Sequence, residues 1–482
     1  MGLKNSKEYK GDASLGLKNS KEYIASLKDG RVTYWNGERI DDITTHPLFK
    51  TAIEIAASDY DYADPDRRNA TVYVAENGRE ANRIFQIPTE EEHLRRRVEM
   101  FHASSIVAQV TGVYMALLSA KDAVASINPS YAANIQAIYQ YARDNDLRAA
   151  EVITDPKGDR KRRANEQDDP DLYLRIVSRD AEGIVVRGAK LHITGASLCH
   201  ELVVLPTKGM KPEEADYAVA FSIPVNTKGI AIINKSFARA EAPEFDAPLS
   251  AHHAIPEGFV VFDDVFVPWN RVFLAGEVDL AGKLTQSLGL WERTGGLTEA
   301  AQRAEIFVGL AQLVAEQQGK ERDPGALTTI AELIQFATLL RISLEYACSR
   351  YARTESGMIH PDVLAINAGK YYYTSNYHTM VKYLQDLAGG LVITLPSVKD
   401  LQNPQSGAYI RKYLHTKPDV SVEARMRVFN AIRDMTADSY GGWLLVTALQ
   451  AGGGLNAGRI MLYRAFDLRA AREAAKRVAG IL

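Results

Sequence analysis

The apolar residues change period twice along this 482-residue chain, and a protein built from one kind of layer cannot satisfy both periods. Over residues 20–154 the pattern is mainly helical. Thr89 and Glu92 spell a T-x-x-E capping box ahead of a long segment with Leu94, Val98, Phe101, Ile106, Val107 and Val110 at apolar positions. A short hairpin over Arg31 to Ile40, turning at Asn36-Gly37, precedes it. Over residues 155–281 β-branched, alternating runs take over: Ile184 to Val186, Leu202 to Leu205, Ala218 to Ile223 and Phe259 to Val267. Over residues 282–482 the helical period returns. Ile330, Leu333, Ile334, Ala337, Leu340, Leu344 and Ala347 form one stripe, and Tyr371, Tyr372, Tyr373 and Tyr377 crowd a helix near residues 361–387. The expectation is an α+β chain in three parts: an N-terminal helical domain, a middle β domain and a C-terminal helical bundle.

A chain of this length is expected to hold two or three domains and needs no covalent staple. Its 57 basic and 60 acidic residues nearly cancel, which gives no electrostatic reason to expect nucleic acid or an anionic membrane as partner. Cys199 and Cys348 are the only cysteines, too few for a disulfide framework or a thiolate cluster, and they suit a reducing cytoplasm. No signal-peptide run opens the chain and no unbroken apolar run of about 18 residues follows, so secretion and membrane spanning are not expected. Gly2 to Tyr9 and Gly16 to Tyr23 both spell GLKNSKEY. Residues 1–19 are read as an extra N-terminal segment, because a structural repeat would need several longer units.

The chemistry concentrates after residue 150. Asp155-Pro156-Lys157-Gly158-Asp159-Arg160 brackets a Pro-Gly turn with charge, and a β-rich run then leads to His192-Ile193-Thr194-Gly195. Backbone and hydroxyl donors in such a setting can cradle a planar, anionic cofactor; a plain connecting turn reads similarly.

These segments resemble, in order and wording, the flavoprotein family of 4-hydroxyphenylacetate 3-monooxygenase and 4-hydroxybutyryl-CoA dehydratase. The resemblance runs from about Tyr23 to the C-terminus. It passes through Asp169-Pro170-Asp171-Leu172, Val260 to Pro268, Ala388-Gly389-Gly390 with Leu395-Pro396-Ser397, and Arg459-Ile460-Met461. It implies an acyl-CoA dehydrogenase-like fold, generally a homotetramer, with FAD as cofactor. By this resemblance Asp155, Lys157, Arg160, Thr194 and Gly195 are candidate flavin-binding residues. Gly389 and Gly390 mark a segment through which another bundle region or subunit approaches the flavin, or else a packing contact.

The resemblance also says what is missing. The dehydratase holds an iron-sulfur cluster with three cysteines and a histidine; here Ile106 and Val110 stand where two of the cysteines belong, with Trp291 and Leu297 near the histidine and the third. Aliphatic side chains cannot ligate iron. Glu257 matches an acid of the dehydratase pocket, while Thr447 replaces a second. In the phenol hydroxylases an arginine, a tyrosine and a histidine hold the phenol, and Thr111, Met115 and Glu151 occupy the corresponding places, with Tyr114 adjacent. Glu151 is therefore a candidate general base or amine ligand, or simply a partner for Arg148; Tyr114 is a candidate donor to a substrate oxygen. Trp291 and Arg293, in the glycine-rich stretch Gly289 to Gly296, are candidate substrate contacts on a loop between the β domain and the bundle. His252-His253 lacks a spaced carboxylate or cysteine, so no metal is expected.

Three functions remain open. The leading one is a monooxygenase that takes reduced FAD from a separate flavin reductase and oxygenates a small or carrier-bound substrate, since no G-x-G-x-x-G nicotinamide motif is present. The second is a cluster-free dehydratase or double-bond isomerase on an acyl thioester, using flavin and Glu257. The third is a non-catalytic flavin-binding scaffold.

Overall fold

The computed structural model describes residues 16–481 except Ala238 and Ala240, so the first GLKNSKEY copy lies outside the described residues. The second copy is bound to the body of the protein. Gly16 N–H donates to the Asp144 carbonyl, Lys18 N–H to Asp146, and Asn19 caps the helix Ser20–Ser26 in a full capping box with Glu22.

Two sheets form the middle of the molecule. The larger runs in the order Glu38–Ile40, Thr33–Trp35, Ile230–Lys235, Glu257–Pro268, Gly183–Thr194 and Arg175–Arg179. The smaller runs Val272–Ala275, Val219–Pro224, Glu201–Val204 and Ala149–Val152. Each expected strand is present, and the hairpin turns at Asn36 and Gly37, both with positive φ, the geometry that a two-residue turn between twisted strands needs. Both sheets draw on chain outside residues 155–281. The hairpin adds its first strand in parallel to Ile230–Lys235, and Ala149–Val152 pairs in parallel with Glu201–Val204.

Helices Glu91–His102, Ile106–Val110, Val113–Ala125 and Pro129–Asp144 flank the sheets on one side. A bundle of long helices, Val278–Gln317, Pro324–Ser349, Val363–Ala388, Val422–Thr436 and Ser439–Gln450, packs against these through Val278–Gln317, which lies on Val113–Ala125 and Glu91–His102. Helix Pro324–Ser349 is long and apolar enough to cross a membrane by composition, but it packs as a bundle helix. Ile330, Leu333, Ala337, Leu340, Leu344 and Ala347 are buried as expected, whereas Ile334 points outward.

Three local expectations are corrected. Thr89 caps nothing: the helix begins at Glu91 with Glu90 at its N-cap, and Thr89 instead lies against His93. The long helix expected from there breaks at Ala103, and Ser105 caps a separate short helix, Ile106–Val110. The stretch Gly289 to Gly296 is no loop but the interior of the 40-residue helix Val278–Gln317. Two of its three glycines face neighbours: a Cβ on Gly295 would touch the Phe101 ring at 3.5 Å, and one on Gly289 the Arg293 guanidinium at 3.0 Å, while one on Gly296 would meet nothing within 4 Å.

The buried apolar side chains form two cores. One joins the N-terminal helices, both sheets and the start of the long helix as far as Trp291; the other fills the bundle and begins at Leu290. The two meet on one turn of that helix, and Glu292 and Arg293 follow immediately.

Candidate flavin and substrate site

At the β-domain face, strand Gly183–Thr194 ends opposite the start of Glu257–Pro268, and the register pairs Thr194 with Glu257. The Thr194 hydroxyl donates to the Glu257 carboxylate at 2.9 Å. Burial pushes the Glu257 carboxyl up from its ordinary value, against hydrogen bonds from Thr194 and Trp443 that favour the anion. Gly195 follows with φ +65° and donates to the Pro256 carbonyl; a Cβ there would meet Val107 at 3.1 Å. Its glycine thus lets the turn close against the short helix Ile106–Val110. The Trp443 indole stacks on Phe237 at 4.3 Å between centroids, close to parallel, which adds an aromatic wall beside Glu257.

The residues of the Asp155 turn divide. Asp155 is buried and committed to the fold: Lys190 pairs with it at 2.6 Å, and the Thr207 hydroxyl also binds it. Asp159 pairs with Arg162. Lys157 and Arg160 are exposed, and neither has a carboxylate within ion-pair distance among the described residues. Lys157 stands close enough to His192 to depress that imidazole's pKa, after burial. Two unpaired cations on a turn beside the Thr194 strand fit the phosphates of a dinucleotide flavin, and the threonine, the glycine turn and the aromatic wall fit its ring. Gly389, with φ +77°, caps the helix Val363–Ala388, and a Cβ on it or on Gly390 would meet nothing within 4 Å. No packing within this chain therefore requires glycine there, although the backbone at Gly389 does.

Where the two cores meet, charges converge from three elements. Glu151 projects from strand Ala149–Val152, Arg97 from helix Glu91–His102 and Glu292 from the long helix. Burial first, and then Glu292, push the Glu151 carboxyl well above the ordinary carboxylate range, while Arg97 pulls it down. Arg148, the sequence-level alternative partner, bonds Asp146 instead. Arg97 is 3 % exposed. Its guanidinium lies 5.4 Å from the Trp291 ring centroid and 5.5 Å from that of Phe101. Gly112 makes room for it, since a Cβ there would be 3.0 Å from its Nη2. Burial lowers Arg97 to about 10, with Tyr139 and Glu151 opposing. The Trp291 indole donates to Ser119 at 2.8 Å.

Thr111 and Met115 are fully buried, and the Thr111 hydroxyl is engaged with backbone, donating to Val107 and accepting from Ala149 N–H. Tyr114 is not brought to Glu151. It packs among Phe85 and Tyr139, its hydroxyl has no hydrogen-bond partner among the described residues, and the charges that reach it are Glu201 and Arg271. Ile106 and Val110 are half-buried, Leu297 is buried, and none offers a ligand atom. Cys199 and Cys348 are both buried and free, one at the β-domain turn and the other at the end of a bundle helix. His252 and His253 sit in a one-turn helix, not an extended segment; His252 faces Glu244 and His253 stacks on Tyr440. Among the described residues no three His, Cys, Asp or Glu side chains gather as a metal site.

Residues 19–274 match the family model described as 4-hydroxyphenylacetate 3-hydroxylase N terminal, and residues 281–480 match its C-terminal counterpart. The chain belongs to this family. It is 29 % identical to a 4-hydroxybutyryl-CoA dehydratase/vinylacetyl-CoA-Δ-isomerase of Clostridium aminobutyricum, covering 93 % of this chain and 96 % of that one. It is 30 % identical to the 4-hydroxyphenylacetate 3-monooxygenase oxygenase component of Thermus thermophilus, covering 87 % and 88 %. A crystal structure of the oxygenase component of 4-hydroxyphenylacetate 3-monooxygenase with FAD superposes with a TM-score of 0.88 at 27 % identity, over 96 % of this chain and 98 % of that one. Glutaryl-coenzyme A dehydrogenase, at 12 % identity and a TM-score of 0.51 over 100 % of this chain and 98 % of that one, shares the fold. The fold is acyl-CoA dehydrogenase-like.

Arg97 and Trp443 were not singled out from sequence, whereas Glu292 was noted only as part of the glycine-rich stretch. Arg97 is one of three consecutive arginines, of which Arg95 and Arg96 pair with glutamates at the surface, and nothing local distinguishes it from them.

Proposed function

We propose that this protein is the oxygenase component of a two-component monooxygenase, which takes reduced FAD from a separate flavin reductase and oxygenates a small or carrier-bound organic substrate. The observation that carries the reading is the inventory of ligand atoms. With two cysteines, both buried and in different parts of the fold, the chain cannot assemble the three-cysteine set that the cluster-dependent branch uses, while it keeps the segments that resemble the family's flavin-binding elements. When bound, reduced FAD supplies the oxygen-activating chemistry. The chain's residues do the rest. Lys157 and Arg160 hold the phosphates, Thr194 and Gly195 seat the ring edge, and Glu257 keeps a proton close to it. Trp443 and Phe237 exclude water from one side. At the junction, Arg97 polarises the acceptor oxygen and Glu151 moves the proton at that oxygen. Thr111, Met115 and Trp291 shape the wall behind it, and Tyr114 supports Thr111 from the core.

The test is oxygen-isotope incorporation. Protein, chemically reduced FAD and ¹⁸O₂ are incubated with a panel of phenols and aryl acids; labelled product is expected, and oxygen use that yields only hydrogen peroxide across the panel would sink the reading. The close match to the dehydratase, together with the Thr194-held Glu257, favours a second reading, a cluster-free isomerase on an acyl thioester. Turnover of 4-hydroxybutyryl-CoA or vinylacetyl-CoA without oxygen would select it.

Ile306 and Leu313 on one bundle helix and Leu327, Leu339 and Ile342 on the next are exposed, which supports a homotetramer, with Gly389 and Gly390 facing a neighbouring subunit. Unbridged, buried cysteines support a cytoplasmic location.

A further inference from the structure

Behind the junction, half-buried Arg293 on the long helix and buried Lys370 on helix Val363–Ala388 meet at a narrow, partly open crevice that Asn367, Thr374, Gly453 and Leu455 also line. Lys370 is 7 % exposed. Its ammonium donates to Thr374 Oγ1 and to the Ala448 carbonyl, both at 3.1 Å, which uses two of its three protons. Arg293 donates one bond, from Nε to the Gly452 carbonyl at 2.8 Å. Among the described residues neither cation has a carboxylate within ion-pair distance, although a cation as buried as Lys370 is normally paired. Glu292 is the nearest acid in charge terms, and its carboxylate already accepts the Gly452 N–H at 2.9 Å.

The glycine run completes the crevice. Gly452 and Gly453 have φ +69° and +95°, and a Cβ on Gly452 would lie 3.0 Å from Arg293 Cγ. Gly454 then opens the 11-residue helix Leu455–Ala465, whose N-terminus has no side-chain cap. Its first N–H groups are left for another acceptor. A buried ammonium with one unused proton, a half-buried guanidinium and an uncapped helix end thus face one crevice.

We propose that Arg293, Lys370 and the Gly453–Leu455 turn form an oxyanion site that takes the carboxylate or phosphate end of the substrate. The site adjoins the Arg97–Glu151–Glu292 junction, because the Glu292 carboxylate acts on both Glu151 and Lys370. A substrate anchored here by its anionic end reaches the junction with its other end. The oxyanion site itself stands without the oxygenase reading; only its assignment to the substrate rests on that reading.

Proton linkage follows from the same geometry. Burial lowers Lys370 to about 8, Glu292 raises it, and Arg293 and Arg303 lower it further; these three charges lie on the neighbouring long helix, and helix Ser439–Gln450 presents the Ala448 carbonyl. An anion that enters restores the ammonium, so binding takes up a proton above neutrality.

The experiment is calorimetric titration of the full-length protein, free of flavin and oxygen, with inorganic phosphate and with 4-hydroxybenzoate in buffers of different ionisation heat. Uptake of about half a proton per site at pH 8 is expected, falling away at pH 6. Lys370→Met should weaken both probes about tenfold and abolish the uptake, Lys370→Arg should restore affinity without uptake, and Arg293→Gln should weaken binding without altering it. Displacement of phosphate by 4-hydroxybenzoate assigns the crevice to a small acid, and displacement by coenzyme A to a carrier phosphate; either supports the proposal. Proton-neutral binding that Lys370→Met leaves unchanged would overturn it, and so would displacement by FAD alone. Because no turnover is read, failure of the oxygenase reading leaves these results standing.

Discussion

The β-domain face and the junction between the cores treat buried charge in opposite ways. At the face, Asp155 is matched by Lys190 and Thr207, Glu201 by Arg271 and Ser222, and Glu257 by Thr194. At the junction, Glu151 opposes another carboxylate, Arg97 leaves its Nε without a partner, and Lys370 and Arg293 lack counter-ions among the described residues. A polar group satisfied by its own chain stabilises the fold; one left unsatisfied at a cost of a few kcal/mol is where a ligand supplies the missing partner. The face therefore behaves as scaffold with a cofactor edge, and the junction as the chemically variable part.

Breaking the scaffold side should give the largest effect. Asp155→Ala leaves Lys190 buried without its counter-ion and should cost about 3–5 kcal/mol of unfolding free energy in urea titrations. A loss under about 1 kcal/mol would mean that the two regions do not differ as described.

The junction should respond in turnover instead. Glu151→Gln keeps the shape and removes the titrating acid, so oxygenation should fall about a hundredfold while flavin affinity holds. Its stability has a definite sign in pH. The folded carboxyl sits above its ordinary 4.5, so the native state holds a proton that the unfolded chain has released. That contribution is fully present below the ordinary carboxylate value and is lost as pH rises through the raised folded one. Wild-type protein should lose stability across this window, and Glu151→Gln should lose less. A wild-type profile no steeper than the variant's would show that Glu151 is ionised in the folded state.

Much of the fold was legible because its signals are periodic and local. Alternation located the strands, Asn36-Gly37 located the hairpin turn, and the bundle helix Pro324–Ser349 announced its buried stripe. The glycine-rich segment misled because propensity is local while packing is not: Gly289 and Gly295 lie within a helix where Arg293 and Phe101 press against them. Thr89 and Glu92 had the spacing of a capping box, yet the helix starts one residue later. The candidate site was legible unevenly, in the continuous segments of its cofactor edge and, towards the junction and crevice, in Glu151, Trp291 and Arg293 but not in Arg97 or Lys370. Thr194, Gly195 and the Asp155 turn are continuous segments, whereas the junction is assembled from Arg97, Glu151, Glu292 and Lys370, contributed by four elements with no common motif.

Thr194→Ala should fall between these extremes. It removes the donor to Glu257, pushes that carboxyl further up and should weaken flavin binding about tenfold, read by fluorescence titration. The smallest expected effect concerns Lys157 and Arg160. They are exposed, so solvent and salt screen whatever phosphates they meet, and neither contributes a contact on which the fold depends. Replacing both with alanine should leave unfolding unchanged and weaken flavin binding about threefold to fivefold at low ionic strength. The difference should shrink as salt is raised towards 0.5 M, roughly, where the screening length drops below the separation of a surface cation from its phosphate. Equal flavin affinity for wild type and double variant at low salt would move the phosphates away from this turn. It would leave Thr194 and Gly195 as the cofactor edge, and the contrast between face and junction would then rest on Asp155, Glu201 and Glu257 alone.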